Sequence, residues 1–162
     1  MQQLLVGEGD GEVIVEVTVG AADRHHQLEV EIIPALLAGE IVVCDRYLAS
    51  SLVLQGLDGL SNDLVWWLNH GVYRPDLCLI LNGDPQVIDA RLRGRGGHSR
   101  FERAEDNSDR ESALYVHAAV ELQDKGWLVV TLDCTADAPG AIVARIVSLI
   151  DRVLQEKSPA CL

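Results

Sequence analysis

The segment that decides the fold of this chain spans residues 41–56 and reads I-V-V-C-D-R-Y-L-A-S-S-L-V-L-Q-G. Its first four residues form a short continuous apolar run, which is typical of a strand buried on both faces of a parallel sheet. Asp45 and Arg46 follow that run directly. We therefore expect them at the carboxyl end of a parallel strand, where open α/β sheets bind their ligands.

Two further apolar runs, at residues 77–81 and 127–132, repeat this pattern, and stretches of helical periodicity separate the three runs. The fold is therefore predicted to be α/β with a mainly parallel sheet. Ser61 and Asp84 are the expected N-caps of two of the helices. The predicted helices cover residues 21–38 (with a kink at Pro34 and an end at Gly39), 61–70, 85–93, 108–124 and 139–155.

The first twenty residues fit the pattern poorly. Residues 12–19 are rich in β-branched side chains, as a strand is, and the stretch G-E-G-D-G precedes them at 7–11. A hairpin or a poorly ordered start is the prediction for this part. We expect one domain over residues 1–162, with an atypical start at 1–20, a regular body at 21–155 and a tail at 156–162.

Composition argues against several classes of protein. The formal net charge is −12, which disfavours nucleic-acid binding, because a polyanion requires an excess of Lys and Arg. No stretch approaches the roughly 20 apolar residues of a membrane span, and a basic signal region does not follow Met1. Four separated cysteines without a C-x-x-C pair predict neither a zinc site nor a disulfide framework. These features predict a globular cytoplasmic protein.

The pair Asp45-Arg46 has the chemistry of a phosphate site. An Asp at the end of a parallel strand can hold Mg²⁺ or its water, and an adjacent Arg can place its forked guanidinium on a phosphate. Hydroxyl and amide groups follow the strand at roughly one-turn spacing, from Tyr47, Ser50, Ser51 and Gln55. The Gln55 amide offers a donor and an acceptor that match the edge of a pyrimidine. The alternatives are a structural ion pair and an ordinary polar helix face.

A second candidate segment, residues 91–103, reads R-L-R-G-R-G-G-H-S-R-F-E-R and holds five of the eleven arginines. Arg91 and Arg95 are four residues apart and share a face of a helix. Glycines then supply hinges before Arg100. Phosphoryl transfer uses such arginine-rich lids to neutralise charge on the migrating group. The alternative is a solvated basic loop on an acidic protein.

A phosphate-cradling loop of the form G-x-x-x-x-G-K-[ST] requires a lysine, and Lys125 and Lys157 are the two lysines of the sequence. Neither follows a glycine-rich loop. The 162 residues therefore contain the signals of a phosphoryl acceptor site without those of the loop that holds ATP.

Taken in order, six motifs resemble the thymidylate kinase family of the bacterial type over about residues 20–150. That resemblance implies a P-loop-kinase-like three-layer fold, truncated at its N-terminus. It also implies transfer of the γ-phosphoryl group of ATP to dTMP, giving dTDP, with Mg²⁺ and with a possible homodimer. The motifs are A-A-D-R-H-H (21–26), the segment 41–56, R-P-D-L-C-L-I-L (74–81), R-x-x-x-R-G (91–96), R-F-E (100–102) and T-L-D-C-T (131–135).

The resemblance also implies roles for residues on the dTMP side. Arg24 would reach the thymine edge from its helix, and Gln55 would help to read the base. Asp45 and Arg46 would serve the metal-phosphate region and the dTMP phosphate, with Asp45 as a metal ligand. Ser51 would contact the nucleoside monophosphate.

On the ATP side, the resemblance assigns charge neutralisation to lid arginines and adenine contacts to a loop after the last strand. Glu102 would lie beside the metal or the sugar. The lid arginines are Arg91, Arg95 and Arg100, and the adenine loop consists of Asp133, Cys134, Thr135 and Ala136.

Two hypotheses from different classes follow. The first is a dTMP kinase whose P-loop segment is missing from these residues. The second is a non-catalytic nucleotide-binding or dimerisation module derived from a nucleotide kinase.

Overall fold

A computed structural model describes residues 10–95 and 107–157. Internal contacts divide the chain into two compact units, Met1–Tyr73 and Arg74–Leu162. Each unit has its own buried apolar residues. The expectation of one domain over residues 1–162 stays a prediction.

The first unit begins with a long helical segment. Helix α1 (Asp10–Gln27) runs without a break into a π-helical turn (Leu28–Ile32) and then into helix α2 (Ile33–Leu37). The segment ends where Gly39 adopts a φ of 81°, a left-handed conformation that glycine reaches without steric cost. The predicted helix end at Gly39 is confirmed.

The π-helical turn lies directly before the predicted kink site, Pro34. The Ile33 N–H donates to the Leu28 carbonyl, five residues back, which widens the turn. A proline lacks the N–H that a regular helix needs and its ring collides with the carbonyl four residues earlier. The wider turn accommodates both defects, so the helix continues past the proline.

Residues 13–19 lie in α1, so the prediction of a strand, hairpin or poorly ordered start over residues 12–19 is wrong. Val17, Ala21 and Leu28 are buried at 3%, 4% and 4% exposure, at spacings that align them on one helical face. A β-branched residue lowers helix propensity by less than about 0.7 kcal/mol. Burying a Val side chain contributes roughly 1.5–3 kcal/mol, so packing overrides local preference.

Two shorter helices pack against α1: α3 (Leu48–Leu57) and α4 (Asn62–Leu68). Ser61 caps α4, since its hydroxyl accepts a hydrogen bond from the Leu64 N–H at 3.4 Å. This confirms the predicted N-cap. The two helices bury apolar side chains at 0–2% exposure, namely Leu48, Leu52, Val53 and Val65.

The predicted strand at residues 41–44 is not formed. The segment has no regular structure, and Ile41 and Val43 are 62% and 81% exposed. A strand exists through hydrogen bonds to its neighbours, and within the described residues this segment pairs with no other strand. The prediction of a strand at residues 41–44 is therefore wrong for the described structure, although the segment has the apolar pattern of a buried strand.

The second unit contains a parallel pair of strands, β1 (Cys78–Asn82) and β2 (Val129–Asp133). The register runs from Cys78 opposite Val129 to Asn82 opposite Asp133. The other two predicted strands are therefore confirmed, with boundaries shifted by one or two residues. The helix-rich structure with a parallel sheet agrees with the predicted α/β class.

Among the described residues of this unit, three helices accompany the strands: α5 (Pro85–Arg95), α6 (Asn107–Asp124) and α7 (Pro139–Lys157). Helix α6 packs against α5 and both strands. As predicted, Asp84 caps α5, because its Oδ1 accepts from the Gln86 N–H at 2.8 Å. Among the helices of the described residues, none is long and apolar enough to cross a membrane.

Candidate functional site

The first unit assembles polar groups from three helices around Arg24. The Arg24 guanidinium donates from Nη2 to Ser51 Oγ at 2.7 Å and from Nη1 to Asn69 Oδ1. Its Cζ lies 5.4 Å from the centre of the Tyr47 ring, within the range of a cation–π contact. We call these four residues, Arg24, Tyr47, Ser51 and Asn69, the Arg24 cluster.

Arg24 reaches this position because it lies on the buried face of α1, three residues after Ala21 and four before Leu28. Helix α1 thus places a cation in the partly apolar junction where α1, α3 and α4 meet. Burial lowers the pKa of Arg24, while the electrostatic influence of Tyr47 and Asp23 raises it. An arginine remains protonated under such conditions, so the junction holds a positive charge at neutral pH.

Tyr47 supports the cluster as a neutral group. Burial raises the pKa of Tyr47 to about 12, against the opposing influence of Arg24. Its hydroxyl donates to the Tyr73 carbonyl at 3.0 Å. The ring is therefore anchored at its polar end while its body lies near the guanidinium.

Gln55 lies one helical turn after Ser51 on α3, so the two side chains share a face. Its Oε1 is buried and has no hydrogen-bond partner within the described part of the chain. An unsatisfied buried acceptor costs about 1–3 kcal/mol. Such an atom is a candidate acceptor for an N–H group of a ligand.

Asp45 and Arg46 lie in the bend that leads into α3, and both are exposed. Arg46 has a φ of 56°, a left-handed conformation that costs a residue with a Cβ roughly 1–2 kcal/mol. Strained backbone of this kind concentrates at functional positions. Within the described residues, the hydrogen bonds of Arg24 reach Ser51 but neither Asp45, Arg46 nor Gln55.

The second unit ties the predicted adenine loop to α5. Arg91 donates from Nη1 to the Cys134 carbonyl at 2.8 Å and from Nη2 to the Thr135 carbonyl at 3.0 Å. The Asp84 N–H donates to Thr135 Oγ1 at 2.8 Å. Predicted as a lid residue, Arg91 thus contacts the predicted adenine loop.

The same loop is shaped from within by Asp133. Its Oδ1 accepts from the Thr135 N–H at 2.8 Å, and hydrogen bonding to Thr135 lowers the pKa of Asp133. Gly83 approaches closely from the end of β1. A Cβ on Gly83 would lie 3.2 Å from Thr135 Oγ1 and 3.3 Å from its backbone nitrogen, so this contact favours glycine.

Part of the predicted lid lies outside the described residues. Arg100 and Glu102 lie outside the described residues, and so does the side chain of Arg95, whose backbone ends α5. Within residues 10–95 and 107–157, no group of three His, Cys, Asp or Glu side chains could hold a metal ion. Asp45 is the predicted metal ligand that the structure describes.

Asn69 is the residue of the cluster that sequence reasoning missed. It follows the last residue of α4 and is 2% exposed. An Asn just after a helix is the ordinary signal of a helix end, so its position gave no reason to assign it to a site. A buried polar side chain beside Arg24 becomes evident when α1 and α4 are packed together.

Comparison with known proteins identifies one family that this chain resembles. The family model described as thymidylate kinase matches residues 1–137. A "Probable thymidylate kinase" of Pyrobaculum aerophilum is 34% identical over 143 residues, covering 88% of this chain and 71% of the relative.

Bacterial relatives show the same similarity. A "Thymidylate kinase" of Xanthomonas campestris pv. campestris is 35% identical over 138 residues, and one of Xanthomonas oryzae pv. oryzae is 33% identical over 138 residues. Each alignment covers 85% of this chain and 60% of the relative. The chain thus spans 60–71% of the length of these three relatives. With the resemblance confirmed, the chain belongs to the thymidylate kinase family, which has the P-loop kinase fold.

Proposed function

We propose that this chain binds dTMP as the phosphoryl acceptor in the transfer of the γ-phosphoryl group of ATP that gives dTDP. The Arg24 cluster supports this proposal most directly. Helices α1, α3 and α4 bring together a partly buried cation, hydrogen-bonding side chains and, one turn along α3, an unsatisfied acceptor at Gln55. Buried polar atoms are normally hydrogen-bonded, so the unsatisfied Oε1 of Gln55 is an acceptor that a ligand N–H group would complete.

The donor and acceptor pattern suits the edge of thymine. The base presents a carbonyl oxygen beside a ring N–H, which match the guanidinium of Arg24 and Oε1 of Gln55. At the same two positions cytosine presents an amino donor and a ring acceptor, so both pairings would fail for a base bound in the same orientation through this edge. Leaving polar groups of the site unpaired costs about 1–3 kcal/mol, which corresponds to a preference of roughly 10–100-fold for dTMP over dCMP.

The strained turn at residues 45–46 is the proposed phosphate end of the acceptor site. Arg46 is exposed there and free to place two N–H donors on a phosphate. Mg²⁺ keeps several waters and binds proteins through one or two carboxylates, so Asp45 fits as its ligand. The family uses ATP as the donor, generally with Mg²⁺, which would supply charge neutralisation between the phosphates.

The proposed adenine contacts come from residues 133–136, held in shape by Arg91. The adjacent lid arginines, Arg95 and Arg100, would neutralise the migrating phosphoryl group. Here Arg91 contributes by fixing the loop through two carbonyls.

A second proposed role is formation of a homodimer. Helix α1 exposes Val15 and Val19, each 62% exposed, and the segment that continues it exposes Val30 at 51% and Leu37 at 83%. Val15 and Val19, two residues before and after Val17, lie on the side of α1 away from it. Light scattering of wild type and of Val15→Glu/Val19→Glu tests this role: a dimer that the double variant converts to a monomer supports it, and a monomeric wild type contradicts it.

Calorimetric titration with dTMP and dCMP tests the acceptor proposal. Wild type should bind dTMP at least about tenfold more tightly than dCMP, and Arg24→Ala should remove that preference. Arg152→Ala, which deletes an exposed arginine of α7, is the matched control and should behave as wild type. Equal affinities of the wild type for the two nucleotides would contradict the proposal.

A further inference from the structure

We propose that Asn69 is a positioning residue of the nucleotide site, which fixes the orientation in which the Arg24 guanidinium meets the base. The inference rests on the proposed function of the Arg24 cluster. It assigns to the end of α4 a part in base recognition.

The Asn69 side chain is held at both ends of its amide. Its Nδ2 donates to the Val65 carbonyl at 2.7 Å, and its Oδ1 accepts from Arg24 Nη1. Since Nδ2 must face a carbonyl, Oδ1 must face the guanidinium. The side chain is buried, at 2% exposure, and both ends of its amide are hydrogen-bonded. Asn69 therefore presents one fixed acceptor.

Two acceptors together restrain both terminal nitrogens of the guanidinium. Ser51 on α3 holds Nη2, and Asn69 at the end of α4 holds Nη1. A hydroxyl alone rotates and would let the planar group tilt about the contact. With the amide in place, the remaining N–H donors of Arg24 point in fixed directions.

The chemistry of the acceptor matters as well as its position. A carboxylate at residue 69 would pair with the cation and satisfy its charge. A neutral amide fixes the group while leaving the positive charge available to a ligand carbonyl. This difference separates a positioning residue from a partner in a structural salt bridge.

A merely structural role has a different consequence. Asn69 follows α4, and its loss could act only by loosening the end of that helix. Ser61→Ala, which removes the N-cap of the same helix, serves as the matched control. It perturbs α4 at the other end, where the cap hydrogen bond is made to Leu64.

The experiment is a double-mutant cycle read as dTMP affinity by calorimetry. Asn69→Ala should weaken dTMP binding about tenfold, in line with the loss of a hydrogen bond to a charged group. In the Arg24→Ala background the same change should alter affinity by less than about twofold. Ser61→Ala should leave affinity at the wild-type value. Equal losses from Asn69→Ala in both backgrounds, or a tenfold loss in Ser61→Ala, would overturn the inference.

A second measurement is independent of dTMP. In NMR spectra of protein with ¹⁵N-labelled arginine at low temperature, a fixed guanidinium gives separate Nη signals. The signals of Arg24 are identified because they disappear in Arg24→Ala. Asn69→Ala should merge or broaden these signals, and Asn69→Asp, which keeps an acceptor, should retain them. Unchanged signals in Asn69→Ala would overturn the inference. If wild type binds no dTMP, the proposed function fails, and these spectra alone decide the role of Asn69.

Discussion

Arg24 is a charged residue on an otherwise apolar helical face, and the candidate site is built around it. Its neighbours on that face, Val17, Ala21 and Leu28, are buried, and an apolar residue at the same place would extend the core. The chain instead places a cation there and surrounds it with the hydroxyl of Ser51 and the amide of Asn69. Removing a charge from water costs several kcal/mol of folding free energy unless the charge is well hydrogen-bonded. The surrounding acceptors are therefore needed to offset the cost of burying Arg24.

Tyr47 gives this site a dependence on alkaline pH. Its pKa is raised to about 12 in the folded protein, above the value near 10 of an unfolded tyrosine. The neutral phenol therefore stabilises the fold fully below pH 10, and this contribution is lost as the pH rises through 12. We expect the free energy of unfolding of wild type to fall more steeply between pH 10 and 12 than that of Tyr47→Phe.

Urea unfolding followed by tryptophan fluorescence measures this difference. The other tyrosines and the thiols titrate in both proteins. Their contribution therefore cancels when the pH profile of Tyr47→Phe is subtracted from that of wild type. Parallel pH profiles of the two proteins would show that Tyr47 ionises without a shift.

Helix α5 and the loop at residues 133–136 are joined by hydrogen bonds into a single structural element. Arg91 bonds two successive loop carbonyls, and Thr135 returns a bond to the Asp84 N–H at the start of the helix. A lysine has one compact ammonium group and cannot copy the forked contact of an arginine. The loop geometry therefore depends on arginine at position 91.

We expect Arg91→Lys to increase amide hydrogen exchange at Thr135 and Asp84 by about tenfold or more, since two hydrogen bonds from a charged group are lost or weakened. Mass-resolved exchange of peptides covering the loop is the measurement. Arg93→Lys, at an exposed position of the same helix, is the control and should leave the exchange unchanged. Equal protection in wild type and Arg91→Lys would contradict the role of Arg91 as a clamp.

At the scale of the whole molecule, the sequence predicted elements whose signals are local. The pair Asp84-Pro85 predicted the start of α5. The apolar runs at 77–81 and 127–132 form β1 and β2, because each strand has its pairing partner within the second unit. Residues 41–44 carry an equally good apolar pattern but lack a paired neighbour in the described structure. In α1 the local signal was misleading. The β-branched residues at 12–19 predicted a strand, but packing of the buried helical face outweighs their weak helix propensity.

The residues of the candidate site also divide into those that local sequence signals predicted and those that they did not. Ser51 and Gln55 were predictable from their spacing after Arg46, and Arg24 entered through resemblance to the family. Asn69 joins them through contacts between helices that are 45 residues apart in sequence. A contact of that separation leaves no periodic signal in a single sequence.

The 162 residues hold no G-x-x-x-x-G-K-[ST] loop, and this sets an expectation for turnover. Phosphoryl transfer depends on positioning and electrostatic stabilisation, and each lost oriented contact costs roughly 10²–10³ in rate. We expect this chain by itself to phosphorylate dTMP far more slowly than a family member that contains this loop, near background. The measurement is dTMP-dependent release of ADP; robust turnover that Arg46→Ala abolishes would contradict the expectation.

Chemical-shift mapping of dTMP binding by NMR tests the central claim most directly. Titration of ¹⁵N-labelled protein should shift the side-chain amides of Asn69 and Gln55 and the backbone amide of Ser51, with smaller changes for dCMP. Arg24→Ala should abolish these shifts, and Arg152→Ala should preserve them. Shifts confined to other parts of the chain, or no shifts at saturating dTMP, would contradict the assignment of the Arg24 cluster as the acceptor site.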